Sequence, residues 1–145
     1  MTYATQQDLV DRFGSQELAQ LTDPVAGTTI NTTTVARALA DADAEIDTRL
    51  AMRYGLPLAT VPIVLVRLAA DLARYFLWDA RVTDQVRNRY TDAIRLLDKI
   101  GSGAVKLPDV AALLTPATGA LAVAVRVPAR QFSSTLLDAF GPAHG

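Results

Sequence analysis

The sequence predicts a mainly α-helical fold, a small bundle of three long helices preceded by two short ones and followed by an extended C-terminal arm with a short β-strand or hairpin. Three observations predict it. Apolar residues recur at intervals of three and four through three separate stretches between residues 34 and 100. Glycine, proline and Asn-Thr clusters punctuate those stretches, and beyond residue 103 the helical period gives way to a period of two. The chain has 145 residues, half of them hydrophobic and 20% charged, so a single packed core is within reach.

Thr5 and Asp8 stand at capping-box spacing, with Asp in the place usually taken by Glu or Gln, and Leu9, Val10 and Phe13 follow before Gly14 stops the turn. Ser15 is expected to cap a second short helix over residues 16–21, closed by Asp23-Pro24. Residues 22–32 read as a polar loop. From Thr34, Val35, Leu39, Ala42, Ile46 and Leu50 make one apolar stripe, and Asp41, Asp43, Glu45 and Asp47 read as a solvated face. The helix ends at Tyr54-Gly55-Leu56-Pro57, where Gly55 is expected at the positive φ of a helix C-cap and Pro57 forbids continuation.

A second long helix is predicted from near Thr60 with Pro62 in its first turn, lined by Leu65, Leu68, Leu72 and Phe76 and apolar on its flanks, so it is the central helix. The third runs from beyond Thr83 to about Ile100, with Val86, Tyr90, Ile94 and Leu97 inward and Arg87, Arg89, Arg95 and Lys99 mostly outward. Gly101-Ser102-Gly103 terminates it. Residues 1–107 thus form the predicted helical body and 108–145 the arm. In the arm Leu121, Val123, Val125 and Val127 alternate with small residues as a strand does, and Phe132, Leu136, Leu137 and Phe140 follow at helix-like spacing. The strand is expected either to fold back on the body as a hairpin or to pair across subunits; the second reading is preferred, and it nominates Val123, Val125, Arg130, Phe132, Leu136 and Phe140 as interface residues.

The chemistry of the sequence points away from catalysis. There is no cysteine, and the one histidine, His144, is penultimate, so no cysteine nucleophile, thiolate metal site or histidine-dependent triad is expected. The 41–47 carboxylates alternate at spacings of two, which gives no metal cage, and Gly101-Ser102-Gly103 lacks the lysine of a phosphate-binding loop. No enzyme and no cofactor are expected. No apolar run approaches the ~18 residues of a membrane span, so no membrane partner is expected and the newly made protein is read as cytoplasmic. Tyr75, Phe76 and Trp78 read as core or interface anchors. Residues 5–21 have the outline of a helix-turn-helix, but the second helix carries Glu17 and no base, a poor surface for a duplex.

Charge is unevenly distributed. Residues 1–52 carry eight acids against three bases, and 53–145 eleven bases against seven acids. Such polarity favours head-to-tail contact between identical subunits, and it leaves as the alternative a nucleic-acid-binding packaging or regulatory module that uses the basic second half.

Three passages together resemble the Mu-like bacteriophage neck protein family of head-tail connectors. They are the opening Met1-Thr2-Tyr3-Ala4-Thr5-Gln6-Gln7-Asp8-Leu9-Val10-Asp11-Arg12-Phe13-Gly14, the junction Arg53-Tyr54-Gly55-Leu56-Pro57-Leu58, and Arg130-Gln131-Phe132-Ser133-Ser134-Thr135-Leu136-Leu137-Asp138-Ala139-Phe140-Gly141. The resemblance implies a structural virion protein at the head-tail junction, a homo-oligomeric ring of about twelve subunits under the portal protein. It also implies contact with the next neck or tail-completion protein and with DNA that passes through the channel without sequence-specific binding. Arg53 and Tyr54 in the junction join the arm residues as interface candidates.

Overall fold

In the computed structural model, residues 1–113 are described, and they form one compact unit, Met1–Leu113. Five α-helices occupy the described residues: α1 (Gln6–Phe13), α2 (Ser15–Thr22), α3 (Thr32–Leu50), α4 (Ile63–Trp78) and α5 (Asp84–Ser102), with a short 3-10 turn at Asp79–Arg81 between the last two. The order of two short helices and three long ones agrees with the sequence pattern. The strand expected at 121–127 and the anchor at 132–140 lie outside the described residues.

Local chemistry sets the helix starts. The Thr5 hydroxyl accepts from the Asp8 amide, and the Asp8 carboxylate accepts from the Thr5 amide at 2.7 Å, so two otherwise orphaned N–H groups are satisfied. This hydrogen bonding, from the Thr5 backbone first, holds the Asp8 carboxyl below its ordinary value. Ser15 makes no side-chain cap. It is the first residue of α2, and Gly14, at φ +91°, is the hinge between the two short helices, a conformation that favours glycine. The third helix begins at Thr32, two residues before the expected start, because the Asn31 side chain accepts from the amides of Thr33 and Thr34. Pro62 sits at the N-cap of α4 with extended backbone, so that helix begins at Ile63. Thr83 caps α5, and Gly103, left-handed at φ +87°, closes it.

The three long helices enclose the core. Helix α3 buries Val35, Ala38, Leu39, Ala42, Ile46 and Leu50, α4 buries Leu65, Leu68, Leu72 and Leu77 with Ala69, Ala70 and Ala73, and α5 buries Val86, Ala93, Leu97 and Ile100. Helix α4 is central: it packs most extensively on α3, then on α5, and receives α1 and α2 as well. Each fully buried leucine contributes about 1.5–3 kcal/mol relative to exposure.

Two glycine expectations change. Gly55 is not at positive φ, and a Cβ there would meet Leu113 Cδ2 at an ordinary 3.5 Å. The physical reason is that α3 has already ended at Leu50, and the amides of Arg53 and Tyr54 close the turn on the Leu50 carbonyl, so by Gly55 the chain has left the helix. Gly101 does not stop α5, which continues through Ser102; a Cβ at Gly101 would stand 2.6 Å from the Arg49 carbonyl oxygen, so glycine lets α5 approach α3. Residues 108–113, assigned to the arm by sequence, lie back on the body: Val110 and Ala112 pack against the core and Ala112 forms an antiparallel bridge with Tyr54.

Candidate functional site

Of the junction residues named from sequence, Tyr54 is 2% exposed and its hydroxyl accepts from the Leu107 amide at 3.1 Å, while the Arg53 carbonyl accepts from the Leu113 amide at 2.7 Å. Tyr54 therefore fastens the chain beyond α5 to the body. The Arg53 guanidinium lies over Gly103, where a Cβ would collide with it, and its Nε is buried without a hydrogen-bond partner among the described residues. Beside it Met52 and Leu113 are widely exposed. Val123, Val125, Arg130, Phe132, Leu136 and Phe140 lie outside the described residues.

The carboxylates of α3 are not a uniform solvated face. Asp43 accepts from the Tyr3 amide at 3.0 Å, and Asp47 accepts from the Tyr3 hydroxyl and from the Met1 ammonium. Desolvation raises the Asp43 carboxyl above its ordinary value, and burial, then the Asp47 bond, push the Tyr3 phenol well up. The signal was in the sequence at a spacing of four, 43 and 47, which places two acids on one helix face, where adjacent pairs at a spacing of two diverge. Glu45 works on another face of α3, where with Asp98 it brackets Arg49, at 2.7 and 2.9 Å, and ties α3 to α5.

Glu17, the acid that made α2 a poor duplex reader, is turned toward α4. Its carboxylate accepts from Arg74 at 2.7 Å and from the Trp78 indole at 3.1 Å, and the Arg74 guanidinium lies 4.4 Å above the Phe13 ring. Trp78 and Phe76 are accordingly half-buried at the rim, and Tyr75 stacks on Tyr90 of α5 at 3.9 Å between ring centres.

Among the described residues, two concave regions stand out. One, of about 450 Å³, lies among α1, α4 and α5 and is lined by Arg12, Arg67 and Arg89, by Asp71 and Asp92, and by apolar Phe13, Leu68 and Leu96. Asp71 is 12% exposed, with Arg89 at 3.6 Å, and burial pushes its carboxyl above the ordinary value against the pull of the surrounding arginines. The other, of about 660 Å³, runs between α2, the start of α3 and the end of α4, with Leu21, Phe76 and Trp78 beside Arg37, Asp41 and Arg81. Among the described residues no group of three or more His, Cys, Asp or Glu could hold a metal ion, and no helix is long and apolar enough to cross a membrane.

These features define a mainly helical body whose buried polar groups tie helix to helix and whose open surfaces are charged. A protein of a Mu-like bacteriophage is the class to which comparison with known proteins assigns it. Residues 3–125 match the family described as Bacteriophage Mu, Gp36, and the chain belongs to that family. It is 43% identical over 105 residues to the Mu-like prophage FluMu protein gp36 of Haemophilus influenzae, covering 72% of this chain and 74% of that one. It is 38% identical over 104 residues to Gene product J of Escherichia phage Mu, covering 71% and 74%. The family match reaches through two of the three passages that carried the resemblance; 130–141 lies beyond it.

Proposed function

We propose that this phage protein is a structural, non-enzymatic component of the virion, a head-tail connector that closes into a ring of about a dozen identical subunits. In this reading the ring sits beneath the portal, joins it to the next neck or tail-completion protein, and lines the channel through which DNA leaves. The subunit is soluble in the host cytoplasm before assembly.

The observation that carries the reading is membership of the Mu Gp36 family, whose match takes in the opening and junction passages that resemble phage neck proteins. The body supports it: its buried charges are spent on holding the helices together, and two concave regions each combine charged with apolar residues, a surface that another protein can cover. Electron microscopy of the native particle tests it, with density for this fold in a ring between portal and tail as the expected result. Absence of the protein from the purified particle overturns it.

The nucleic-acid alternative draws on the exposed bases of α5, yet Arg87 and Arg95 stand beside Asp84 and Asp92 on the same helix. A duplex binder with six phosphate contacts loses about a thousandfold in affinity between 50 and 200 mM salt, and the proposed connector shows weak DNA binding or none.

A further inference from the structure

The arginines of the 450 Å³ cleft are unequally used. Arg74, just behind it, is fully engaged by Glu17 and Phe13, and Arg89 leans on Asp71. Arg12 at the end of α1 and Arg67 on α4 are exposed, line the mouth, and make no ion pair among the described residues. The cleft thus has two guanidinium groups from different helices that make no ion pair among the described residues and act on Asp71 only at longer range, beside apolar Phe13, Leu68 and Leu96.

We propose that this cleft is a receptor for one acidic side chain of a second copy of the chain, with Arg12 and Arg67 taking its carboxylate and the apolar residues beside them packing against the neighbouring surface. The proposal rests on the ring reading and names where one face of its subunit contact lies. Charge selects the occupant. A guanidinium fork matches a planar carboxylate. A nucleic-acid backbone presents a row of phosphates, and here the Asp71 and Asp92 carboxylates stand among the arginines that line the cleft and disfavour such a row. A second copy can supply the acid, because Asp11 and Asp41 stand exposed on it. Contacts of this kind use two different faces of the subunit, so one copy's cleft and another's acid are both free at the ends of an open assembly.

The test uses the full chain, wild type and Arg12→Glu/Arg67→Glu, with sedimentation velocity over a wide concentration range and helical melting as a control. Wild type is expected to grow with concentration. The double variant is expected to melt like wild type and to self-associate about thirtyfold or more weakly. Mixed with wild type it should still bind through its intact acidic face and halt growth. Arg12→Gln/Arg67→Gln, which keeps length and polarity, should lose self-association in the same direction and serves if the charge reversal fails to fold. Variants that assemble like wild type overturn the cleft assignment and leave the ring untouched. A folded variant that neither self-associates nor caps wild-type copies overturns it too, since a head-to-tail contact must leave the other face competent. Wild-type protein that stays monomeric throughout overturns the second copy as occupant, and the ring is then judged by microscopy of the particle.

Discussion

Helix α4 is held on two sides by different physics. Toward α3 the joint is apolar, Leu65, Leu68 and Leu72 with three alanines set against a stripe of Val35, Leu39, Ala42 and Ile46. Toward α2 the joint is a charge network, Glu17 receiving Arg74 and Trp78 with Arg74 resting on Phe13. The first needs only the right residues at the right period, since dispersion and burial are non-directional. The second needs particular atoms within hydrogen-bond distance, and leaving one member without the others costs desolvation. A helix can therefore be central by pattern and oriented by a few polar contacts.

The apolar joint is the more costly one to disturb. Leu72→Ala, at a fully buried site, is expected to lower unfolding free energy by about 2–5 kcal/mol through lost burial and the cavity left behind. Urea unfolding with an unchanged m-value checks this. On the polar side Glu17→Ala should cost about 1.5–3 kcal/mol, because Arg74, 14% exposed, is left without its carboxylate. A loss of the same size in Glu17→Ala and in Glu17→Ala/Arg74→Met would show that the pair contributes packing alone.

Between α3 and α5, Gly101→Ala should cost about 1–3 kcal/mol, since its methyl meets backbone at Arg49 that cannot swing aside. Thermal melting of that variant against wild type measures it, and an unchanged midpoint would mean that the two helices separate without loss.

The smallest effect concerns the charged cleft. Asp71 has its folded-state pKa raised from 3.8 by burial, so the folded state holds its proton more tightly and the contribution of this group to stability falls as pH rises from 3.8 through the folded value. Asp71→Asn removes the titration. The stability of wild type minus that of the variant should decline across this window and level off above it; a difference that rises instead would mean that the surrounding arginines outweigh desolvation.

The helices were legible because their signals are local. A Thr5–Asp8 capping box and a stripe at three and four lie within a few turns of chain, and so do the caps at Thr83 and Gly103. Ser15 misled for the same reason: a good capping residue stands one place after the glycine whose positive φ makes the actual joint. Gly55 and Gly101 misled in the opposite way, since their sequence neighbourhoods look alike as helix ends and only the packed neighbours, Leu113 for one and Arg49 for the other, distinguish them.

Sequence by itself determined that five helices form, in which order, and which side of each is apolar, because propensity, capping and periodicity act over short range. Tertiary structure alone decided which acids are spent. Asp43 and Asp47 hold the N-terminus, Glu17 orients α2 and Glu45 serves Arg49, while Asp11 and Asp41 stay exposed. Nothing in the identity of an aspartate or glutamate tells these fates apart. Asp43 and Glu17 find partners 40 and 57 residues away only once the helices have packed, and the charge that remains unspent is what the surface can offer to another molecule.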